Sequence, residues 1–477
     1  MTLISHLASC APVVRCGFAA CAIVLFEAAP AWAQTDFVRS VAPSSDGAFG
    51  AATASCRELV IVGANGADGL RGEAHLYRVE SGEVVPTLLQ TVEPTTRQVG
   101  DRLGWSVAIG TSHAALASPY PSGGAGSVWW LKLAADGSIL QQGELLSPDS
   151  APSDFFGQAI AIAGDWLFVG EPGDDALVNG GGAVHAYQWS GARGWLHRTK
   201  VLHPAPAVMD VFGYALAASE KWLVVASRYA ENGAILDAGG AWVYEMGPDG
   251  PMFPPQRLVP PDAATWDWFG QCVDVDGDTI AVGVCRDGIG SQLERGSVRI
   301  FEPDLAGQWN QVATLIDPAG AAFDRVGASV DLRGHDVLAG ADGIDASSSL
   351  QQTGALLRFT RTHAGWQHAE RLLSSPQPSQ QALGTACALG PGELVLGGAP
   401  KATVAGGPNR EGLLYLWERA PHCAADIDLD LEVGGADLAA LLSDWGSVGS
   451  SRSDIDGNQQ VDAADLSVLL ASWGLCD

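Results

Sequence analysis

The chain has 477 residues, of which 47% are hydrophobic and 17% are charged. Its 54 acidic side chains outnumber its 26 basic ones, which gives a net charge of −28 at pH 7. Such an acidic surface repels phosphate backbones and anionic lipid headgroups, so the composition argues against nucleic acid or an anionic membrane as partner.

The first predicted element is a secretory signal peptide over residues 1–33. Arg15 precedes the apolar run Phe18–Phe26, and Ala31-Trp32-Ala33 offers a cleavage site before Gln34. No other stretch of the sequence is long and apolar enough to be a transmembrane segment. We therefore expect a mature protein from Gln34 onward that is secreted or held at the bacterial cell surface by its partners.

Seven copies of one repeat follow over residues 34–420. A marker glycine recurs every 53 to 57 residues, and a second small residue stands 13 residues after each marker. Self-similarity at a fixed period indicates a repeat architecture, in which each unit buries its faces against its neighbours. The markers are Gly50, Gly104, Gly157, Gly213, Gly270, Gly327 and Gly384. The second small residues are Gly63, Ala117, Gly170, Ala226, Gly283, Gly340 and Gly397.

Each copy contains the pattern of a short antiparallel sheet. In the third copy, an alternating apolar stretch at Ile160–Ile162 and a turn after it precede a second apolar stretch at Leu167–Gly170, as in a β-hairpin. A third strand starts at a further glycine with an aromatic residue five positions on, as at Gly182 and Tyr187, and a fourth strand follows. Four strands in each of seven copies predict an all-β, seven-bladed β-propeller.

These repeats resemble the FG-GAP repeats of integrin-α-type propellers. The resemblance is carried by Phe156-Gly157 with Gly170-Glu171-Pro172, and by Leu383-Gly384 with Gly398-Ala399-Pro400. It implies a binding or adhesion module, because most members of that family are of this kind. Many FG-GAP repeats insert an Asp-rich calcium loop between their first two strands, for which the constant spacing leaves no room. We interpret Asp274–Asp278, the segment most similar to such a loop, as an ordinary hairpin turn.

Residues 421–477 contain a duplicated unit of a loop and a helix, with equivalent residues 28 positions apart. Oxygen-bearing side chains fall at alternate positions of both loops, as calcium coordination requires. Each loop leads into a helix with an apolar face. The predicted calcium ligands are Asp426, Asp428, Asp430, Glu432 and Asp437 in the first loop, and Asp454, Asp456, Asn458, Gln460, Asp462 and Asp465 in the second.

The duplicated unit resembles a dockerin, in particular the GC-type dockerins of secreted bacterial proteins, to which the ending Trp473-Gly474-Leu475-Cys476 is similar. The resemblance implies calcium as cofactor and a cohesin-type partner that anchors the protein to a scaffold or surface. Leu431 and Gln459 depart from the glycine usual at position 6 of the loop, at a cost of about 1 kcal/mol each. Because Gly434 leaves the first loop one carboxylate short, we expect the second loop to bind calcium better.

Six cysteines remain outside the signal peptide, and an even number in an exported protein suggests disulfides. One pair flanks the hairpin of the fifth copy, and a second pair brackets the C-terminal unit. A third pair lies on the first hairpins of copies one and seven, which are neighbours if the ring closes. In that order the candidate bridges are Cys272 with Cys285, Cys423 with Cys476, and Cys56 with Cys387.

The sequence contains no catalytic motif that we can assign. The ten histidines are scattered, and His75 and His185 share one repeat position, which marks them as strand residues. The best acidic cluster is weak and comprises Glu171, Asp174 and Asp175.

Aspartates stand three residues before five of the marker glycines. They could form a ring of carboxylates around a cation, but we interpret them as ties of a turn between blades. Trp266 and Trp268 flank one of them and are the candidate ligand-binding residues of the propeller, because indole faces stack on sugar rings and on apolar groups. The aspartates are Asp101, Asp154, Asp210, Asp267 and Asp324.

Together these elements predict an exported, non-enzymatic binding or adhesion protein. Its propeller is expected to bind a polysaccharide or a surface protein, and its C-terminal unit is expected to anchor it through calcium. Two alternatives stay open: a carbohydrate-active lyase or glycosidase on a propeller scaffold, and a surface-layer component without a discrete ligand.

Overall fold

The computed structural model describes residues 33–477 apart from 80–84, 121–124, 150, 348–349, 363–364, 376–377, 391–393, 419–424, 426, 428–431, 448–452, 454, 456–459 and 476–477. Residues 1–32 of the predicted signal peptide, which spans 1–33, lie outside the described residues. The rest of the chain up to Glu418 forms a seven-bladed β-propeller of antiparallel sheets, which confirms the predicted fold.

Each blade contains strands that pair in chain order, and the first strands of neighbouring blades contact one another around the axis. The N-terminal strand and blades 1 to 3 contain β1 (Ala33–Val38), β2 (Phe49–Cys56), β3 (Leu59–Ala64), β4 (Glu73–Arg78), β5 (Thr87–Val92), β6 (Val107–Ile109), β7 (His113–Ser118), β8 (Ser127–Leu133), β9 (Ile139–Leu145), β10 (Ile160–Ala163), β11 (Trp166–Glu171), β12 (Ala183–Trp189) and β13 (Trp195–Leu202).

In blade 4 the outer position is shared by two short strands, both paired with the third strand. Blades 4 to 7 contain β14 (Ala215–Ala218), β15 (Trp222–Ser227), β16 (Gly240–Gly247), β17 (Gly250–Pro251), β18 (Gln256–Leu258), β19 (Val273–Asp276), β20 (Thr279–Val284), β21 (Ser297–Pro303), β22 (Trp309–Leu315), β23 (Val330–Arg333), β24 (Asp336–Ala341), β25 (Ala355–Thr362), β26 (Gly365–Leu372), β27 (Ala386–Leu389), β28 (Leu394–Ala399) and β29 (Leu413–Glu418).

The ring is closed by the N-terminal strand. β1 pairs antiparallel with β29 and so supplies the outer strand of blade 7, whose other three strands come from the end of the propeller sequence. The repeat pattern did not reveal this exchange, because β1 lies before the first marker glycine and belongs to no copy. Closure removes the edge that β29 would otherwise expose.

The marker glycines allow neighbouring blades to approach closely. The backbone of each marker lies against the second small residue of the blade before it, so that a Cβ added to Gly340 would lie 1.9 Å from the carbonyl oxygen of Gly384. At Gly340 an added methyl group requires the two blades to shift, whereas blades 2 and 4 accommodate Ala117 and Ala226 at the same repeat position. The spacing of the two small residues therefore reflects a packing requirement between blades.

We expect Gly340→Ala to destabilise the propeller by about 1–3 kcal/mol, the usual effect of overpacking. Gly288→Ala is the control, since the nearest atom to its added Cβ is 3.8 Å away. Chemical unfolding of both variants measures the difference. Equal stabilities would show that the contact at Gly340 relaxes without cost.

The seventh copy departs from the 13-residue spacing. Its marker Gly384 donates its N–H to the carbonyl of Gly398, whereas Gly327 bonds to Gly340 in the sixth copy. The assignment of Gly397 as the second small residue was therefore wrong by one position. The pairing of β27 with β28 is accordingly shifted by one residue relative to the pairing of β23 with β24 in the sixth copy.

The hydrophobic core is divided among the blade interfaces. The apolar residue before each marker glycine is buried between two blades, with at most 4% of its surface exposed. Complete burial of such a side chain contributes about 1.5–3 kcal/mol. These residues are Phe49, Leu103, Phe156, Phe212, Phe269, Val326 and Leu383.

The cysteines of the propeller are not bridged, so two of the predicted disulfides were wrong. Cys56, Cys272, Cys285 and Cys387 are all free thiols. Cys272 faces Gly283 across its hairpin, so Cys285 lies two residues beyond the paired position. Cys56 and Cys387 lie six and three residues after their markers, about 10 Å apart along the strand direction. The third predicted pair, Cys423 with Cys476, lies outside the described residues.

The C-terminal unit contains two of the three short α-helices found among the described residues. They are α1 (Ala67–Leu70) in the propeller, which is a turn with positive φ at Asp68 and Gly69, and α2 (Gly435–Ser443) and α3 (Ala463–Ala471) in the unit. In the part of the chain that the structure describes, a 3₁₀ turn also spans Gly191–Arg193. The strands β30 (Glu432–Val433) and β31 (Gly474–Leu475) pair and join the end of the unit to its first loop.

Candidate functional site

The repeated aspartates tie the turns that lead from one blade to the next. One carboxylate oxygen of each accepts a hydrogen bond from the backbone N–H three residues earlier, at 2.5 to 2.7 Å. Their interpretation as turn ties is therefore confirmed. Burial raises the pKa of Asp267 to about 6, against the opposing hydrogen bond from Ala264, and burial also raises the pKa values of Asp154, Asp210 and Asp324.

These raised pKa values predict how stability depends on pH. Because the folded state holds the Asp267 proton more tightly than the unfolded state, the stabilisation from this group is complete below about pH 4 and is lost as the pH rises through about 6. We expect Asp267→Asn to reduce the decline in stability between pH 4 and pH 8 by up to about 3 kcal/mol. Urea unfolding at several pH values measures it.

The control is the exposed Asp136→Asn, which should leave the decline between pH 4 and pH 8 unchanged. Asparagine at position 267 keeps an oxygen that can accept the Ala264 N–H, so the turn itself is retained. An Asp267→Asn protein whose stability declines as steeply as that of the parent contradicts the assignment.

The same turns display side chains that differ from blade to blade. The residue two positions before each marker has a positive φ of 54° to 60° in all seven copies. This conformation costs residues other than glycine about 1–2 kcal/mol and is held here by the surrounding turn. Since the backbone is constant and the side chain varies, these positions are suited to contacts with a ligand. They are Ala48, Arg102, Phe155, Val211, Trp268, Arg325 and Ala382.

On blades 2 to 5, this position and two others bring arginine and aromatic side chains together. The other two are the position directly after the marker and the loop after the second strand. We call this group the arginine–aromatic cluster; its members are Trp105, Tyr120, Phe155, Gln158, Tyr214, Arg228, Tyr229, Trp268, Gln271 and Arg286.

Arg228 lies at the centre of the cluster. Its Nη1 donates to the Tyr214 hydroxyl at 2.7 Å and to Gln271 Oε1 at 3.0 Å, and its Nη2 donates to the Tyr229 hydroxyl at 2.7 Å. The guanidinium also packs over the rings of Tyr214, Tyr229 and Trp268, with its carbon 3.8, 4.6 and 4.7 Å from their centroids. Such cation–π contacts hold the charge in one orientation.

Trp268 contacts two guanidinium groups. The Arg286 carbon lies 3.7 Å from the indole centroid, in addition to the contact with Arg228. The structure thus brings only one of the two predicted tryptophans into the cluster. Trp266, two residues earlier in the same turn, lies apart from it and is 59% exposed.

A row of aromatic rings continues from Arg228 toward blade 2. Tyr120 contacts the rings of Trp105 and Phe155, with centroids 4.7 and 5.3 Å away, and its hydroxyl donates to Gln158 Oε1 at 3.3 Å. Tyr120, Phe155 and Arg228 line one cavity of about 390 Å³. Its size lies within the range of small-ligand sites, and its walls combine apolar rings with a few polar groups.

Sequence reasoning missed Arg228, Tyr120 and Arg286. A signal existed, because the second strand of the third copy is followed by Pro172-Gly173 whereas that of the fourth copy is followed by Arg228-Tyr229. A cation and an aromatic residue replace the two residues best suited to a plain turn. The repeat pattern alone did not indicate that side chains from three different repeat positions meet in the arginine–aromatic cluster.

Cys285, beside the cluster, is not a reactive thiol. Burial and the Asp342 carboxylate raise its pKa to about 12, against the opposing charges of Arg325, Arg228 and Arg286. At neutral pH it is therefore protonated, and the thiolate is the nucleophilic form.

The acidic side chains of blade 3 are paired with a histidine and a lysine of the same blade. Glu171 is fully buried and accepts from His185 Nε2 at 2.7 Å, while Asp149 lies 3.7 Å from the same nitrogen. These three groups are close enough to hold a metal ion. The ammonium of Lys200, however, lies 2.9 Å from Asp149 and 2.5 Å from Asp174, so the Asp149 carboxylate is already paired with a cation. His75 and His185 lie on strands, as predicted.

Of the predicted calcium ligands, Asp437, Gln460, Asp462 and Asp465 have described side chains, and the others lie outside the described residues or have only a described backbone. Asp437 and Asp465 make equivalent contacts. Each is fully buried and accepts backbone N–H groups at both oxygens, from Ile427 and Gly434 and from Ile455 and Asp462 at 2.6 to 2.8 Å. Carboxylate oxygens are the ligands that a hard cation such as calcium prefers, so both side chains are of the type that the predicted site requires.

The two helices of the C-terminal unit share a core and expose matching apolar side chains. Leu441 and Leu469 are fully buried. Leu442, Trp445, Leu470 and Trp473 are 53%, 47%, 54% and 50% exposed. The unit thus presents two related apolar patches, Leu442 with Trp445 and Leu470 with Trp473.

The FG-GAP repeat family matches residues 139–187 and 255–301. The chain therefore contains FG-GAP repeats. Each matched segment begins with or just before the outer strand of one blade and ends in the third strand of the next, so the FG-GAP repeat is offset by one strand from the blade. The offset places the blade-to-blade turn, which carries the cluster residues Phe155 and Trp268, inside the matched segments.

Among curated proteins, none matches this chain in sequence. Two solved structures resemble the FG-GAP propeller at low identity. A protein from Lactobacillus plantarum has a TM-score of 0.45 and 14% identity, with 69% of this chain and 85% of that one covered. A putative 6-phosphogluconolactonase from Bacteroides fragilis has a TM-score of 0.46 and 12% identity, with 71% and 86% covered. Neither comparison bears on the function of this chain.

Within the described residues, every helix is too short or too polar to cross a bilayer.

Proposed function

We propose that the protein is an exported, non-enzymatic binding protein. Its propeller binds a ligand at the arginine–aromatic cluster, and its C-terminal unit anchors it, with calcium, to a cohesin-type partner on a scaffold or cell surface. The observation that carries the first half is the convergence of variable side chains on a constant backbone. Turn aspartates and marker glycines repeat from blade to blade, whereas the side chains of the cluster do not.

A polysaccharide is the ligand class that fits this surface best. Aromatic rings stack on the apolar faces of sugars, and amide and hydroxyl groups such as Gln158 and Tyr229 can bond their hydroxyls. The cavity is open beside the ring of Tyr120, which is 36% exposed.

The matched apolar patches support the anchoring half of the proposal. Exposed tryptophan and leucine side chains in a small unit are unfavourable in water unless a partner covers them. Because the two patches are equivalent, either can engage the partner. Substitution of Leu442 and Trp445 alone should leave binding to a cohesin module largely intact, and substitution of both patches should abolish it.

The test of the propeller uses the mature chain against a panel of insoluble and soluble polysaccharides, recording retention on the polymer and release of new chain ends. Retention without release supports a binding module. Release of chain ends supports the alternative, a lyase or glycosidase, and directs the search to the acidic loops. Absence of both favours a protein ligand or a surface-layer role.

A further inference from the structure

Arg228 differs from the neighbouring arginines in its electrostatic partners. Arg286 lies 3.7 Å from a carboxylate of Glu294, and Arg325 lies 3.1 Å from Asp342. Within the described part of the chain, no carboxylate oxygen lies within 4.0 Å of the Arg228 guanidinium; its hydrogen-bond partners are two hydroxyls and an amide, all neutral.

The absence of a counter-ion is unfavourable for a charge in this place. Arg228 is half-buried among three aromatic rings, and its Nε has no hydrogen-bond partner. Neutral acceptors offset part of the desolvation cost of a guanidinium but leave its charge uncompensated. In a protein with a net charge of −28, where acidic residues exceed basic ones two to one, a half-buried cation without an acid beside it is unexpected.

A ligand bound in the cavity beside Arg228 can supply the anion that this guanidinium lacks. The rings of Tyr120, Phe155 and Tyr229 line it together with the guanidinium. Two carboxylates also line it, from blade 3, but both are engaged by loop backbone: Asp154 accepts from Ala151 N–H at 2.6 Å and Asp175 from Gly180 N–H at 2.7 Å. The cavity is thus polarised, with its cationic end at blade 4.

We propose that this cavity binds a hexuronate residue of an acidic polysaccharide, with the sugar carboxylate paired to Arg228 and the sugar ring stacked on Tyr120. The inference rests on the proposed function of the propeller and specifies the class of its ligand. A hexuronate carries its carboxylate directly on the pyranose ring, so charge and stacking face lie side by side, as the guanidinium and the aromatic rings do here. A carboxylate accepts from the guanidinium fork with more strength than a neutral hydroxyl.

The experiment uses the mature chain, with polygalacturonate as the acidic probe and its fully methyl-esterified form as the neutral one. Titration calorimetry and affinity electrophoresis measure binding at an ionic strength high enough to screen the repulsion between the acidic protein surface and the acidic polymer. We expect the acid to bind and the ester to bind far more weakly, because only the acid has a free carboxylate for Arg228. Arg228→Gln should weaken binding of the acid on the order of 10- to 100-fold.

Two further variants separate charge from structure. Arg228→Lys keeps the charge without the fork and should retain more affinity than Arg228→Gln. Arg198→Gln removes an exposed arginine of β13, remote from the cluster, and should bind as the parent does. If Arg228→Gln unfolds, the comparison of acid with ester and the lysine variant decide the outcome.

Four results would overturn the inference. Equal binding of acid and ester, or an unchanged affinity in Arg228→Gln, would show that the ligand is not an acidic sugar paired with Arg228. Either result is compatible with a propeller that binds polysaccharide. If polyglutamate binds as tightly as polygalacturonate, the site recognises carboxylate polymers in general and does not recognise the sugar ring. Failure to bind acidic or neutral polysaccharides of any kind would remove the proposed polysaccharide function as well.

Discussion

Removal of residues 33–38 should destabilise the whole propeller. The six-residue strand β1 is the outer strand of blade 7, and it joins the start of the chain to the end of the repeats. Each ladder hydrogen bond contributes about 1 kcal/mol net, so the loss of this strand should cost on the order of 5 kcal/mol. A fall of that size lowers the melting temperature of a protein this large by 10 °C or more, on the order of 2–4 °C for each kcal/mol.

Thermal unfolding of a variant that begins at Arg39 measures this effect. A synthetic peptide of residues 33–40 should restore the melting temperature in trans, and a scrambled peptide of the same composition should not. The truncated protein should also associate through the exposed edge of β29, which size-exclusion chromatography detects. A truncated monomer with the melting temperature of the parent would show that the ring closes without β1.

Removal of calcium should unfold the C-terminal unit and leave the propeller intact. The unit has a small core around Ile427, Val433, Leu441, Val461 and Leu469, too little apolar surface to stabilise two short helices by itself. We propose that calcium supplies the missing free energy, because a site formed only in the folded state couples metal binding to folding.

Calorimetry of the full chain distinguishes the two parts. We expect two thermal transitions with calcium, of which one disappears on chelation and returns when calcium but not magnesium is restored. Asp465→Asn should raise the calcium concentration needed for that transition more than Asp437→Asn does, because the second loop has the fuller set of ligands. A chelated protein with both transitions unchanged would exclude a structural role for calcium.

Much of the fold could be predicted because it is encoded over short distances. A marker glycine, a turn aspartate three residues before it and a hairpin after it interact within some twenty residues. The glycine and the hairpin recur in all seven copies, and the aspartate recurs in five of them. The turn role of Asp267 and the strand position of His185 were predictable for that reason. In the C-terminal unit, the 28-residue duplication likewise predicted equivalent environments for Asp437 and Asp465, which the structure confirms.

The candidate site was predicted only in part, because it is assembled across blades. Trp268 was found from its place beside a turn aspartate, but Tyr120 and Arg228 are 108 positions apart in the sequence and meet only when three blades pack around the axis. The same argument also selected Trp266, which lies apart from the cluster although it belongs to the same turn as Trp268. The disulfide predictions within the propeller were wrong for a related reason. Two cysteines on neighbouring strands can still lie at different positions along them, so that their thiols do not meet.

The sequence by itself determined the number of blades, the strand order within them and the turns between them, because each depends on hydrogen bonds and packing between residues close along the chain. Only the tertiary structure decided that β1 completes blade 7 and that Gly398 rather than Gly397 meets the first blade. It also decided that Arg228 lies among aromatic rings, with no carboxylate of the described residues beside it. These depend on contacts between residues tens to hundreds of positions apart, whose partners are selected by the curvature of the closed ring and carry no periodic signature in the chain.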